Sequence, residues 1–184
     1  MDILAFDLSK SNTGWARYCT GDARPSYGSV KLGTGWTDRI GMMRKLYMHL
    51  TDLSAFGEPD AVFYEGPLPG NAQSTEKNNR NANANCALVE FYYGSAKRIR
   101  VQEVHNLTWK RHFFDPNIPK RVKDEIGKSV RNPSYDPKAL SLAACKALGL
   151  SPENHDEADA LGILDYALML EKITPPWRAE LVLV

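Results

Sequence analysis

Two short apolar runs in this chain each end in an acid. Ile3-Leu4-Ala5-Phe6 leads into Asp7, and Ala61-Val62-Phe63-Tyr64 leads into Glu65. Unbroken apolar runs of this length are the pattern of strands covered on both faces. A carboxylate at the end of such a strand loses hydration and needs compensation, from hydrogen bonds, from a cation or through a binding role. Asp7 has a plainer alternative. Ser9, Lys10, Ser11 and Asn12 form a polar turn, and an aspartate there can bond its own loop. This stretch alone leaves both open. Gly14 then gives the backbone freedom, and residues 15–18 resume a strand, so a hairpin is predicted.

The rest of the chain alternates in type. A third strand over 26–32 completes a meander. A helix follows to about Phe56, capped by Thr37 or Asp38, with Ile40, Met43, Leu46, Tyr47, Leu50 and Leu53 at helical spacing. Gly57 and Pro59 end it. Beyond Glu65, the breakers Gly66, Pro67, Pro69 and Gly70 open an asparagine-rich stretch. A helix is expected from Ser74 or Thr75 to Tyr93, with Ala82, Ala84 and Ala87 allowing close packing and Gly94 as its stop. Residues 98–104 read as a strand, and Leu107, Trp109, Lys110 and Phe113 as helical. Residues 115–137, with Pro116, Pro119, Pro133 and Pro137, read as a loop or insertion. Helices over 138–148 and 156–170 follow, the second opened by Ser151-Pro152-Glu153.

Residues 1–175 are thus read as one domain. Residues 176–184 are read as a tail whose apolar end docks or forms an edge strand. Helices between the later strands favour parallel neighbours. The expected fold class is α/β, a mixed five-stranded sheet flanked by helices, with Asp7 and Glu65 at one end of it.

Composition bounds the rest. Three cysteines lie far apart in 184 residues, with neither disulfide nor zinc spacing, which points to a reducing compartment. Asp2 and Asp7 interrupt the first apolar run, so no signal peptide is read there, and no run is long enough to span a membrane. A cytoplasmic protein with no membrane partner is expected. The net charge is only +1, yet residues 97–138 carry eleven Lys and Arg against five acids. Such a segment can be an ordinary solvated face or a surface for phosphates.

The third acidic segment is His155-Asp156-Glu157-Ala158-Asp159-Ala160-Leu161. Asp156 and Asp159, three apart, share one face of a helix. Acids at a helix start are also favoured by its dipole alone. That does not account for Asp7 and Glu65. Carboxylates drawn from three distant segments repel unless cations hold them, and hard oxygen ligands suit Mg²⁺ or Mn²⁺.

The three blocks also carry a resemblance. Ile3-Leu4-Ala5-Phe6-Asp7-Leu8-Ser9 with Thr13-Gly14-Trp15 resembles the first-strand motif of RuvC-type Holliday junction resolvases. Val62-Phe63-Tyr64-Glu65 resembles that family's second acidic strand, and Asp156-x-x-Asp159-Ala160-Leu161-Gly162-Ile163 its C-terminal helix. The blocks, in the family's order, cover most of the chain. The resemblance implies an RNase H-like fold and a homodimer. It also implies nicking of opposed strands of a four-way DNA junction, dependent on Mg²⁺ with Mn²⁺ as substitute, leaving 5′-phosphate and 3′-hydroxyl ends. Asp7, Glu65, Asp156 and Asp159 are its implied catalytic residues and metal ligands.

On the DNA side, His105-Asn106-Leu107-Thr108-Trp109-Lys110 resembles the family block that supplies a basic phosphate contact, which makes Lys110 the counterpart and Lys138 a second. Where the family often carries an aromatic wedge, this chain has Leu68. Lys77, Arg80 and Arg111 are further candidates for the DNA backbone. His155 is assigned a cap or supporting role. The compact chain suggests a phage or mobile-element member, acting in the host cytoplasm. An RNA-processing nuclease of the same fold is an alternative, and so is a non-enzymatic DNA-binding module. An actin-like or sugar-kinase ATP-binding protein is another, although no second phosphate hairpin is present.

Overall fold

The computed structural model describes residues 1–9, 11–33, 38–67, 76–117, 123 and 137–179, and the side chains of all these but 76–79, 115–117, 137 and 179. The expectations that fall on Leu68, the Lys77 side chain, most of 115–137 and the last five residues lie outside what is described.

Strands β1 (Asp2–Leu8), β2 (Asn12–Cys19) and β3 (Ser26–Lys31) form the expected meander. They are followed by helix α1 (Arg39–Ser54), strand β4 (Ala61–Glu65) and helix α2 (Glu76–Val89), which runs straight into a π-helical segment, Glu90–Ala96. Strand β5 (Arg100–Val104) and helices α3 (Asn106–Asn117), α4 (Pro137–Ala147), α5 (His155–Leu170) and α6 (Pro176–Ala179) complete the chain. The sheet order is β3-β2-β1-β4-β5. The β3/β2 and β2/β1 pairs are antiparallel, and β1/β4 and β4/β5 are parallel. Phe6 stands beside Tyr64 on the parallel neighbour. Asp7 and Glu65, the next residues in each strand, therefore lie at the same end of the sheet.

Alternation along the strands divides the core in two. Ile3, Ala5 and Phe63 face α3, α4 and α5, in a cluster with Trp109, Ile163 and Leu164. Leu4, Phe6, Val62 and Tyr64 face α1 and α2, with Leu46, Leu50 and Val89. Helix α5 lies across β1 and β2, and two glycines let it come close. A Cβ at Gly14 would lie 1.9 Å from the Asp156 carbonyl oxygen, and one at Gly162 would lie 2.5 Å from Trp109 Cζ3.

Four local expectations are corrected. The inner stripe of α1 is Met42, Leu46, Leu50 and Leu53, while Ile40 and Tyr47 are exposed. The helix starts one residue after its cap Asp38, whose side chain accepts from the Gly41 N–H, and Ile40 lies in its first turn, before the buried stripe begins at Met42. The inner face of α2 holds Asn81, Asn85, Cys86 and Val89, while Ala87 is exposed. Asn85 is buried there because its Nδ2 donates to the Ser9 carbonyl at 2.9 Å. Gly94 does not stop the helix. The wider π turns bring both Tyr92 and Tyr93 inward, their rings 4.9 Å apart and edge-on. The cap of α5 is Asn154, further along than Ser151-Pro152-Glu153.

The described part of the tail, α6, packs against the domain. Trp177 in α6 is buried and meets Tyr18 edge-on at 5.0 Å. Beside it, Arg178 Nε donates to the buried Asp165 of α5 at 2.9 Å, and His112 Nε2 of α3 lies 3.0 Å from the same carboxylate. Burial opposes the Asp165 charge, but these two partners hold its pKa below the usual range. Trp177→Ala is expected to lose about 3–5 kcal/mol, read as a lower urea midpoint at unchanged slope. Trp177→Phe keeps most of the packing and removes an indole N–H that has no partner among the described residues, so it should lie much nearer the parent.

Candidate active site

Asp7 lies near the end of β1, between the buried Phe6 and Leu8 and opposite Gly14 of β2. Its carboxyl pKa stands well above the usual carboxylate range. Burial is the largest cause, followed by the charges of Asp159, Glu65 and Asp156, and Lys110 acts in the opposite direction. The other three carboxylates singled out in the sequence therefore all act on Asp7 at one end of the sheet. Asp159 is pushed up to about 6, first by burial, with Glu65 adding to the effect and Ser141, Lys110 and His155 working against it.

Three of the four acids are held by donors. Glu65 accepts from Asn106 Nδ2 and, at 2.6 Å, from Trp109 Nε1. Asp156 accepts from Asn12 Nδ2, and Asp159 from Ser141 Oγ. Asp7 accepts no side-chain hydrogen bond among the described residues. The described part of its own loop, Ser9, Ser11 and Asn12, gives it no such bond. The donor atoms on offer are all carboxylate oxygens, a set suited to a hard divalent cation. Among the described residues, no three His, Cys, Asp or Glu side chains already stand together as an ion cage.

The local sequence explains the arrangement. Asn106 and Trp109, three apart, share a face in the first turns of α3. Trp109 is fully buried and packs where Gly162 leaves room. Ser141 is fully buried on the apolar face of α4, beside Leu140, Ala144 and Cys145. The sequence pattern did not single out Ser141, Asn12, Asn106 or Trp109 as site residues. A lone serine inside an apolar stripe was the readable signal for Ser141. Asn12 needed the close approach of α5 over Gly14 to gain a role.

The basic candidates separate into two groups. Lys110 Nζ lies 5.0 Å from the Trp109 ring centroid and acts electrostatically on Asp7 and Asp159. Lys138 Nζ lies 3.0 Å from His155 Nε2, itself 3.8 Å from Asp156 Oδ1. These two flank the carboxylates. Arg111 on α3 and Arg80 on α2 are exposed, and no described contact ties them to the acids. No described helix is long and apolar enough to cross a membrane.

No family model and no curated protein matches the chain. Solved structures do. Thermus thermophilus RuvC in complex with a Holliday junction substrate is similar at a TM-score of 0.64 and 15% identity, over 92% of this chain and 96% of that one. Another structure of Thermus thermophilus RuvC is similar at a TM-score of 0.58 and 15% identity, with the same coverage. The yeast mitochondrial Holliday junction resolvase is similar at a TM-score of 0.58 and 12% identity, over 97% of this chain and 79% of that one. The fold is RNase H-like. At these identities the likeness concerns the fold, and the chemistry rests on the residues above.

The raised acids set a pH dependence. A carboxyl whose folded pKa exceeds its unfolded value of about 4 adds stability below that value. For Asp159 this stability is lost as pH rises through about 6. Asp165 has the opposite sign, and its contribution is lost as pH falls. With chelator present, the protein is expected to melt lower at about pH 7.5 than at about pH 5. Asp7→Asn removes one charge from the cluster. It should raise the melting temperature at about pH 7.5 by about 2–4 °C for each kcal/mol relieved. Calorimetry on both proteins checks this, and a lower melting temperature for Asp7→Asn would contradict it.

Proposed function

We propose that this chain is a divalent-metal-dependent endonuclease that nicks branched DNA, four-way junctions above all, leaving 5′-phosphate and 3′-hydroxyl ends. The observation that carries the proposal is the gathering of Glu65, Asp156 and Asp159 around Asp7. The likeness to the two resolvase folds, one with a Holliday junction substrate, supports the choice of branched DNA. Asp7, Glu65, Asp156 and Asp159 would hold Mg²⁺, or Mn²⁺ in its place. When bound, such ions activate water for in-line attack on phosphorus and neutralise the departing oxygen.

The chain's own groups do the rest. Asn106 and Trp109 fix the plane of Glu65, Ser141 fixes Asp159 and Asn12 fixes Asp156. These donors keep the acids near Asp7 and share their charge until a cation replaces them. Lys110 and Lys138 stand where they can hold phosphate oxygens beside the acids, positioning the strand without reading its bases. Leu68 would serve as an apolar wedge, and Lys77, Arg80 and Arg111 would add phosphate contacts. Paired nicks need two sites, hence a two-fold homodimer. Phe91, 61% exposed on the far side of the sheet from the acids, supports an apolar contact surface near the end of α2.

A panel of labelled junction, fork, flap, duplex and RNA substrates with Mg²⁺, Mn²⁺ or Ca²⁺ tests the proposal. The junction should be nicked fastest with Mg²⁺ or Mn²⁺. Asp7→Asn should slow nicking by about 10³-fold or more, about 4 kcal/mol of barrier, while junction binding in a gel shift stays as tight or becomes tighter. An Asp7→Asn protein that still nicks at the parental rate would exclude this site. Preferential cleavage of RNA would move the proposal to an RNA-processing nuclease.

A further inference from the structure

Glu157 stands between Asp156 and Asp159 in the sequence but turns away from them. It is 5% exposed and faces the edge strand β3. Its Oε1 accepts from Ser29 Oγ at 3.0 Å and from Asn154 Nδ2 at 3.0 Å, and its Oε2 accepts from the Glu153 N–H at 2.8 Å. Asn154 Nδ2 also donates to Ser29 Oγ at 3.0 Å, and the Glu157 N–H donates to Asn154 Oδ1 at 3.1 Å. Capping of the helix accounts for the bonds among Glu153, Asn154 and Glu157. It does not account for Ser29, which belongs to a distant strand.

The register shows what that bond joins. Ser29 is opposite Gly14, and Gly14 is opposite Asp7, so the three form one row across β3, β2 and β1. The first turn of α5 lies on this row. Glu157 is bonded at the Ser29 end, and the Asp156 carbonyl sits over Gly14. At the other end, the Asp159 charge acts on Asp7. The geometry points to Glu157 as a positioning residue. Through Ser29 on the edge strand it sets the height and rotation of the α5 start over Asp7, and so the reach of Asp156 and Asp159 toward a divalent cation. This rests on the metal-binding role proposed above for those acids. Groups that orient ligands in this way change metal affinity by about 10–100-fold when removed.

Mn²⁺ uptake without DNA, followed by electron paramagnetic resonance and titration calorimetry, tests this on the full chain, with urea midpoints measured alongside. The parent should bind Mn²⁺, and Glu157→Ala should bind it about 10-fold more weakly or worse. Ser29→Ala should weaken binding in the same direction. The Ser29→Ala/Glu157→Ala double variant should be no weaker than Glu157→Ala alone. Glu157→Gln keeps an oxygen for Ser29 and Asn154 but sets an amide NH2 against the Glu153 N–H, so it should recover part of the affinity that Glu157→Ala loses. A capping role alone would lower the urea midpoint in both Glu157 variants and leave Mn²⁺ binding at the parental value. That result in a folded Glu157→Ala overturns the inference. Should Glu157→Ala not fold, Ser29→Ala decides, because its helix cap is intact, and parental affinity there overturns the inference equally. A parent that takes up no Mn²⁺ overturns the metal-binding proposal together with this one, whereas parent and variants that bind alike overturn only the role of Glu157.

Discussion

Repulsion among carboxylates that the fold forces together is the constraint on which the rest of this structure depends. Asp7 lies near the end of a strand whose preceding residues are fully buried, and three more acids act on it there. Burial of one ionised carboxyl already costs free energy, and each neighbour of like charge adds to the cost. An arrangement of this kind persists because the fold is stable enough to hold it, or because something binds there. The nearby donors lower the cost only in part. Ser141, Asn12, Asn106 and Trp109 serve three of the acids, and none of them serves Asp7.

The sheet does the forcing. Parallel pairing of β1 with β4 puts the ends of two covered strands side by side, and no local rearrangement can separate Asp7 from Glu65 without breaking that ladder. The second pair of acids arrives on a helix, whose approach is set by absent side chains. A methyl group at Gly14 would collide with the α5 backbone, and one at Gly162 would push on Trp109, the residue that holds Glu65. Backbone contact at Gly14 and ring packing at Gly162 therefore serve the same end from opposite sides of α5. Close helix packing and the setting of the acids are one piece of geometry.

This explains what was legible in the sequence. The acids at the ends of β1 and β4 were readable because an apolar run and a following helix constrain strand direction without reference to the rest of the fold. The pair on α5 was readable from its spacing. The buried side of α2 was not, because asparagine at an inward position makes sense only once the Ser9 carbonyl is known to face Asn85. The π-helical segment was hidden for a similar reason. Gly94 is a reasonable stop by propensity, but the packing of Tyr92 and Tyr93 against the sheet carries the helix past it. Ile40 lies in the first turn of α1, before the buried stripe begins at Met42, so its helical spacing alone did not show that it faces outward.

The likeness to resolvase structures at 12–15% identity is consistent with this division. What the fold demands of the sequence is small: two covered strands side by side and a small residue beneath the crossing helix. Most other positions need only keep their apolar or polar character, which many sequences satisfy. Shared fold therefore carries little chemical information by itself. The acids carry more, because hydrophobic packing does not require them and burial opposes them. A chain that needed only the fold would be more stable with Asn at position 7. The presence of Asp there, with no side-chain hydrogen bond among the described residues and among three like charges, is the feature that a purely structural role leaves unexplained.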